Sequence, residues 1–163
     1  AIFKSIYKPS AFFKGIVFPL LQSTQQCTLK VAAILASIIG NSSIPALHAS
    51  AALVHLTKQP GEFSGATGSV LRALLDKKYA LAYRVIDHLT NFFLSFLPDR
   101  RILPVLWHQA LLVFCQRYKN DLTKEQRESI VKLVSAKGHY LIGSEVCREL
   151  EGSICSRDLN NSS

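Results

Sequence analysis

Ala82-Tyr83-Arg84-Val85-Ile86-Asp87-His88-Leu89-Thr90-Asn91-Phe92-Phe93-Leu94-Ser95-Phe96 is the stretch that decides the fold class. Val85, Ile86, Leu89, Phe92, Phe93 and Phe96 fall on one stripe when the chain is wound at 3.6 residues per turn, which predicts an amphipathic helix over 82–96. Pro98-Asp99-Arg100-Arg101 breaks it. Pro104 then opens another helix, through Leu106, Trp107, Ala110, Leu111, Val113 and Phe114 to Tyr118. Trp107, Leu111, Phe114 and Phe92 are the expected core of this pair. The same period continues in both directions, and strand signals are almost absent.

Upstream, Ser10 is expected to start a helix carrying Phe12, Phe13 and Ile16. Thr28 is expected to cap Leu29 to Ile39, with Gly40-Asn41 as the stop. Ser43 is read as the next cap, with Pro45 in the first turn. A loop follows around Gly61, Gly65 and Gly68, then a helix over about Ser69 to Leu75. Downstream, Thr123 and Gln126 have the spacing of a capping box and start a helix bearing Ile130, Leu133 and Val134. Ser144 begins a last helix with Val146, Cys147 and Leu150. These starts recur about every 20 residues, the rhythm of two-helix repeats. The expected fold is all-α: about eight helices, in antiparallel pairs stacked as a HEAT/TPR-like α-solenoid. No residue motif repeats at that period, so a compact irregular helical domain is the alternative. The helical domain is expected over 1–152, with a polar, disordered tail at 153–163.

Of the 163 residues, 48% are hydrophobic and 18% charged, which suits a packed domain and excludes a disordered segment. The chain contains no Met and is expected to be a piece of a longer protein. The net charge is +8 and unevenly spread. Residues 1–61 carry five lysines and no acid, residues 62–119 eight bases and four acids, and residues 120–163 six bases and seven acids. A polyanion is therefore to be sought in the first three quarters of the chain, if the excess has a partner at all.

Catalytic and metal signatures are missing. Cys27, Cys115, Cys147 and Cys155 form no CxxC, and no His completes a zinc pattern. His48 and His55 could share a helix face, but no carboxylate lies within a turn of them. The glycine cluster Gly61 to Ser69 lacks the Lys of a P-loop and reads as an interhelical loop. Asp76, Asp87 and Asp99 lie in separate elements, so no acid–base pair follows from their spacing. No enzyme, metal or cofactor is expected. The charge-free run Val31 to Thr57 is broken by Gly40-Asn41 and Pro45, and neither half reaches the roughly 20 apolar residues of a bilayer span. No membrane partner is expected.

Two stretches are dense enough to suggest binding. Leu74-Leu75-Asp76-Lys77-Lys78-Tyr79-Ala80-Leu81-Ala82-Tyr83-Arg84 interleaves cations with aromatics at a helix junction. Cations neutralise phosphates, and a tyrosine can stack on an unpaired base. The alternative is a helix end whose bases favour its dipole and whose tyrosines pack inward. The candidate RNA contacts are Lys77, Lys78 and Arg84, with Arg100 and Arg101 as an extension and Lys14 in reserve. On the sequence alone, replacing Lys77 and Lys78 by Glu should weaken RNA binding and leave melting unchanged. The second stretch runs from Leu103 to Asp121, with Arg117 and Lys119 at its helix end.

These stretches also carry a resemblance. Phe12-Phe13-Lys14-Gly15-Ile16, Cys27-Thr28-Leu29, Ser43 to His48, Leu74 to Leu81 and Leu103 to Asp121 stand in the order seen in the bystin family. From about Lys8 to Leu150 the chain resembles the C-terminal half of that family's domain, whose yeast member is called essential nuclear protein. It departs from the family pattern at Ala82, where Pro is usual, at Val31, and in the Gly61–Ser69 loop. The resemblance implies a non-catalytic assembly factor of the small (40S) ribosomal subunit. Such a factor would be a helical scaffold that binds precursor 18S rRNA during pre-rRNA processing and pre-40S maturation and export. The implied partners are ribosomal proteins of the head and beak, the low-temperature-viability export factor, and the processome that contains the U3 small nucleolar ribonucleoprotein. The implied location is nucleolus and nucleus, with shuttling to the cytoplasm on pre-40S particles. A helical protein–protein adaptor without RNA binding, including a role in a cytoplasmic adhesion complex, is the other reading.

Overall fold

A computed structural model describes residues 9–19, 29–58, 63–98, 102–137 and 140–151. Thr28, Cys27, Cys155, Arg100, Arg101 and the expected tail at 153–163 lie outside the described residues. Eight α-helices follow one another, and no strand occurs among the described residues. Helix α1 is Pro9–Phe12, continued by a π-helical turn over Phe13–Val17. It is followed by α2 (Leu29–Gly40), α3 (Ala46–Leu56), α4 (Gly65–Asp76) and α5 (Tyr83–Leu94). Then come α6 (Val105–Tyr118), a 3₁₀ turn (Lys119–Asp121), α7 (Lys124–Lys137) and α8 (Tyr140–Leu150).

The most extensive contacts join helices two places apart. The even-numbered helices form one row, α2 on α4, α4 on α6 and α6 on α8. Of the odd-numbered helices, α3 meets α5 and α5 meets α7. Phe18 stacks on His55 of α3 at 3.9 Å, so the segment after α1 opens this second row. Two rows joined by short links, with every helix touching only near neighbours, is the arrangement of a solenoid. The even row packs along its length while the odd row touches more sparingly.

Contacts between helix ends fix the directions. Lys77, just after α4, reaches the end of α2 at Gly40 and Ser42. Arg117 near the end of α6 pairs with Asp76 at the end of α4, and Lys119 pairs with Glu149 near the end of α8. The even helices thus run parallel, with their C-termini on one rim. The links 41–45, 77–82 and 119–123 lie on that rim and deliver the N-termini of α3, α5 and α7 to it. Successive helices are antiparallel in consequence.

Between the rows lies the core. Phe93 meets Trp107 at 5.8 Å and Phe114 at 5.6 Å, and Phe96 meets Trp107 at 5.7 Å, so α5 and α6 share one aromatic cluster. Trp107, Leu111, Phe114 and Phe92 are all buried. Edge-to-face and offset ring pairs of this kind add about 0.5–1.5 kcal/mol each beyond the area they bury. Thr57 and Thr90 are buried too, and their hydroxyls donate back to the carbonyls of Leu53 and Ile86 at 2.7 and 2.8 Å. This turns a polar group inward without leaving it unsatisfied.

Several expected boundaries shift. The capping box is present: Gln126 Oε1 accepts from the Thr123 amide at 2.9 Å, and Thr123 Oγ1 accepts from the Gln126 amide at 3.1 Å. Ser10 lies inside α1 rather than before it, and Ser144 lies inside α8, which begins at Tyr140. Ser43 does not cap α3. That place falls to Pro45, at φ −59° and ψ 143°, which directs the chain into the helix by backbone geometry without a side-chain hydrogen bond. Helix α5 ends at Leu94, and Phe96 enters the core from the turn that follows.

The largest change is at the glycine cluster. Gly65 to Ser69 is helix, not loop, and Ser64 caps it by accepting from the Thr67 amide at 3.1 Å. Gly68 is buried where α4 crosses α6. A Cβ there would strike the Phe63 ring and come within 3.3 Å of Leu106 Cβ. Close approach of the Phe63 ring and of α6, rather than chain flexibility, explains the glycine.

Candidate nucleic-acid interface

The two binding stretches read from the sequence meet on the C-terminal rim of the even row. The Tyr118 hydroxyl donates to the Tyr79 carbonyl at 2.8 Å, which ties the 77–82 link to the end of α6. Beside it, Arg117 Nη2 meets Asp76 Oδ1 at 2.8 Å and Lys119 Nζ meets Glu149 Oε2 at 3.1 Å. Arg72 donates to Gln109 at 3.0 Å midway along the same row. These exposed or half-exposed pairs contribute little stability each. Their effect is to commit Arg117 and Lys119 to neighbouring helices.

Lys77 is committed as well. Its ammonium donates to the Gly40 carbonyl at 3.3 Å, an acceptor that the end of α2 leaves without a helical partner, and to the Ser42 carbonyl of the following link at 2.5 Å. The expected free cation is therefore a cap on a neighbouring helix. Lys78 differs. It is exposed and sits at φ 56°, the left-handed conformation that ends α4 and that glycine usually fills. Arg84 is exposed on the first turn of α5. Neither Lys78 nor Arg84 forms an ion pair with a described residue.

Between them the chain alternates. Tyr79 and Leu81 are half-buried and pack on the core, while Lys78, Ala80 and Ala82 are exposed. The Tyr79 hydroxyl is buried, and burial holds its pKa above the ordinary tyrosine value. Tyr83 remains 40% exposed at the start of α5. Ala82 has φ −63°, the angle a proline ring imposes, so the departure from the family's proline leaves the backbone path intact.

The remaining candidates lie elsewhere. Lys14 is exposed on the π-helical turn after α1, which makes no extensive contact with α4 or α5. Arg100 and Arg101 lie outside the described residues. The sequence reading missed the Arg72–Gln109, Arg117–Asp76 and Lys119–Glu149 contacts, because only the register between helices reveals them.

Chemically the rim can bind and neutralise. Cys115 is buried, and burial raises its thiol pKa, with Glu149 and Cys147 adding to the shift; it is an inert part of the core. Among the described residues no group of three His, Cys, Asp or Glu could hold a metal ion. Among them, too, no helix is long and apolar enough to cross a membrane.

Tyr118 gives a pH test of the rim's packing. Burial, with smaller contributions from Asp121 and Tyr79 and an opposing one from Arg117, pushes its pKa from 10 up to about 12. Between these values the unfolded chain ionises first and holds fewer protons than the folded one, so stability falls as pH rises from 10 towards 12. Tyr118→Phe should flatten this part of the alkaline limb in urea titrations. It should cost about 1 kcal/mol at neutral pH, through the lost hydrogen bond to Tyr79. An alkaline limb identical in the variant would show that Tyr118 is not the group responsible.

Fold and rim together define a helical-repeat scaffold with a basic edge. The particular family follows from comparison with known proteins. The Bystin family profile matches residues 1–159, and the chain belongs to that family. It is 47% identical to Bystin of Drosophila melanogaster over 155 residues, which are 95% of this chain and 35% of that protein. It is 48% identical to Bystin of Homo sapiens over 154 residues, 94% of this chain and 35% of the human protein. Byn-1 of Caenorhabditis elegans is 50% identical over 151 residues, 93% of this chain and 33% of the worm protein. The chain spans about a third of the length of these relatives.

Proposed function

We propose that this chain is part of a non-catalytic assembly factor of the small ribosomal subunit. In this reading it is a solenoid that holds precursor 18S rRNA on its C-terminal rim while protein partners use other faces. The observation that carries the reading is the pair of exposed cations at the α4–α5 junction, Lys78 and Arg84, which form no ion pair with a described residue where neighbouring basic side chains are committed. Family membership supports it. Residence in the nucleolus and nucleus, passage to the cytoplasm on pre-40S particles, and contacts with head and beak proteins, the low-temperature-viability export factor and the U3-containing processome belong to the same proposal.

The test is RNA affinity as a function of salt. Each phosphate contact contributes roughly 0.7–0.9 to the slope of log affinity against log salt. Lys78→Glu combined with Arg84→Glu should weaken binding of precursor 18S rRNA fragments to the 163-residue chain. It should also lower the slope by about 1.4–1.8, with helicity unchanged. Unchanged affinity and slope in the folded double variant would remove RNA binding at this rim and favour the protein adaptor.

A further inference from the structure

We infer that the α4–α5 junction selects unpaired RNA, with the Tyr83 ring stacking on a base whose flanking phosphates are held by Lys78 and Arg84. The inference rests on the RNA-binding reading above and adds the class of RNA.

The geometry separates the two tyrosines of this stretch. Tyr79 is turned onto the core, its hydroxyl buried and its carbonyl held by Tyr118. Tyr83 is 40% exposed, so an aromatic surface reaches solvent at the rim. The exposed positions that lead to it, Ala80 and Ala82, carry only methyl groups. They leave a shallow shelf with Lys78 at one end and the adjacent Tyr83 and Arg84 at the other. The left-handed Lys78 backbone starts this shelf by turning the chain sharply out of α4. The nearest acids are engaged: Asp76 pairs with Arg117, and Asp87 accepts from Gln126 at 2.7 Å. Repulsion of a phosphate chain along the shelf is reduced accordingly.

An aromatic ring can use this arrangement only if a base is available face-on. In an RNA duplex both faces of each base are stacked on neighbours, and the major groove is too narrow for side chains to read. A single strand offers its bases, and stacking on them tolerates any sequence. The shelf therefore suits a loop, bulge or linker, and a phosphate ladder alone would have no use for Tyr83.

The experiment compares binding of a single-stranded oligoadenylate and a blunt RNA duplex to the 163-residue chain by fluorescence anisotropy. The wild type should prefer the single strand. Tyr83→Ala should weaken single-strand binding by about 5- to 150-fold, the range of one base–aromatic stack. Duplex affinity and the salt slope should stay as they were. Tyr83→Phe should retain the preference, and Tyr83→Leu, which keeps apolar bulk without a π face, should lose it. An equal affinity of wild type for the two RNAs, or Tyr83→Ala and Tyr83→Leu variants that still prefer the single strand, overturns the inference while leaving the RNA reading standing. If the Lys78→Glu, Arg84→Glu variant binds RNA as the wild type does, the RNA reading falls and takes this inference with it.

Discussion

Trp107→Ala is expected to lower the unfolding free energy by about 3–5 kcal/mol, the usual range for emptying an aromatic site in a core. The ring is fully buried between Phe93 of α5 and Phe96 of the turn that follows it, at 5.8 and 5.7 Å, and it stands edge-on to both. Removing it empties the seam that joins the odd row to the even row, where rigid helices on both sides limit collapse. For a domain of this size each kcal/mol corresponds to roughly 2–4 °C in Tm, so melting should fall by about 6–20 °C. Trp107→Phe should cost much less. The indole N–H is buried without a hydrogen-bond partner among the described residues, and a phenyl ring removes that donor while keeping most of the packing. Because Trp107 is the only tryptophan, the comparison needs circular dichroism rather than intrinsic indole fluorescence. A drop in stability below about 1.5 kcal/mol for Trp107→Ala would mean the ring is not held as described.

The seam was legible in the sequence because helical period is a local property. Val85, Ile86, Leu89, Phe92 and Phe93 announce a buried stripe within a dozen residues, and all five are buried. The Thr123–Gln126 box was legible for the same reason, since both partners of each bond lie within one turn. Gly65 to Ser69 misled for the opposite reason. Two glycines in a helix cost about 1 kcal/mol each relative to alanine, and propensity alone argues for a loop. What outweighs that cost is the close approach to Gly68 of Phe63, just before the Ser64 cap, and of Leu106 on α6, the second of which no local pattern encodes. The cap expected at Ser43 and the helix start expected at Ser144 failed because the hydroxyl was weighed without the backbone. Pro45 has the extended ψ that starts α3, whereas Ser144 stands in the middle of α8.

The candidate site was legible in part. The sequence drew attention to Lys77, Lys78, Tyr79, Tyr83 and Arg84 but could not say which of them point outward. That depends on where α4 ends and on the alternation of the extended link, both of which are set by packing against α2 and α6. Each lysine of the adjacent pair has a different fate in consequence. The dipeptide looks uniform only when it is read without neighbours.

This division gives the second large effect. Lys77→Glu should destabilise the chain by roughly 1.5–3 kcal/mol, because it removes charge-assisted hydrogen bonds and sets a carboxylate against carbonyl oxygens. The acceptors are the carbonyls of Gly40 and Ser42, at the end of α2. Gly40 ends the helix with which α4 makes its most extensive contact, and Ser42 lies in the link just after it, so the disturbance lies at a seam and not at a frayed edge. Lys78→Gly should act in the other direction. A non-glycine residue in the left-handed region carries about 1–2 kcal/mol of backbone strain, partly offset in glycine by the freedom of its unfolded state. A net gain of about 0.5–1 kcal/mol is expected. Urea midpoints at constant slope would measure both. If Lys77→Glu and Lys78→Glu shift the midpoint equally, the cap on α2 is not formed. The same pair bears on the functional reading. The joint replacement of Lys77 and Lys78 by Glu that the sequence suggested would confound lost structure with lost phosphate contacts. Lys78 and Arg84 can be reversed in charge without touching any bond that joins two helices, so a loss of RNA binding in that variant reports on the rim alone.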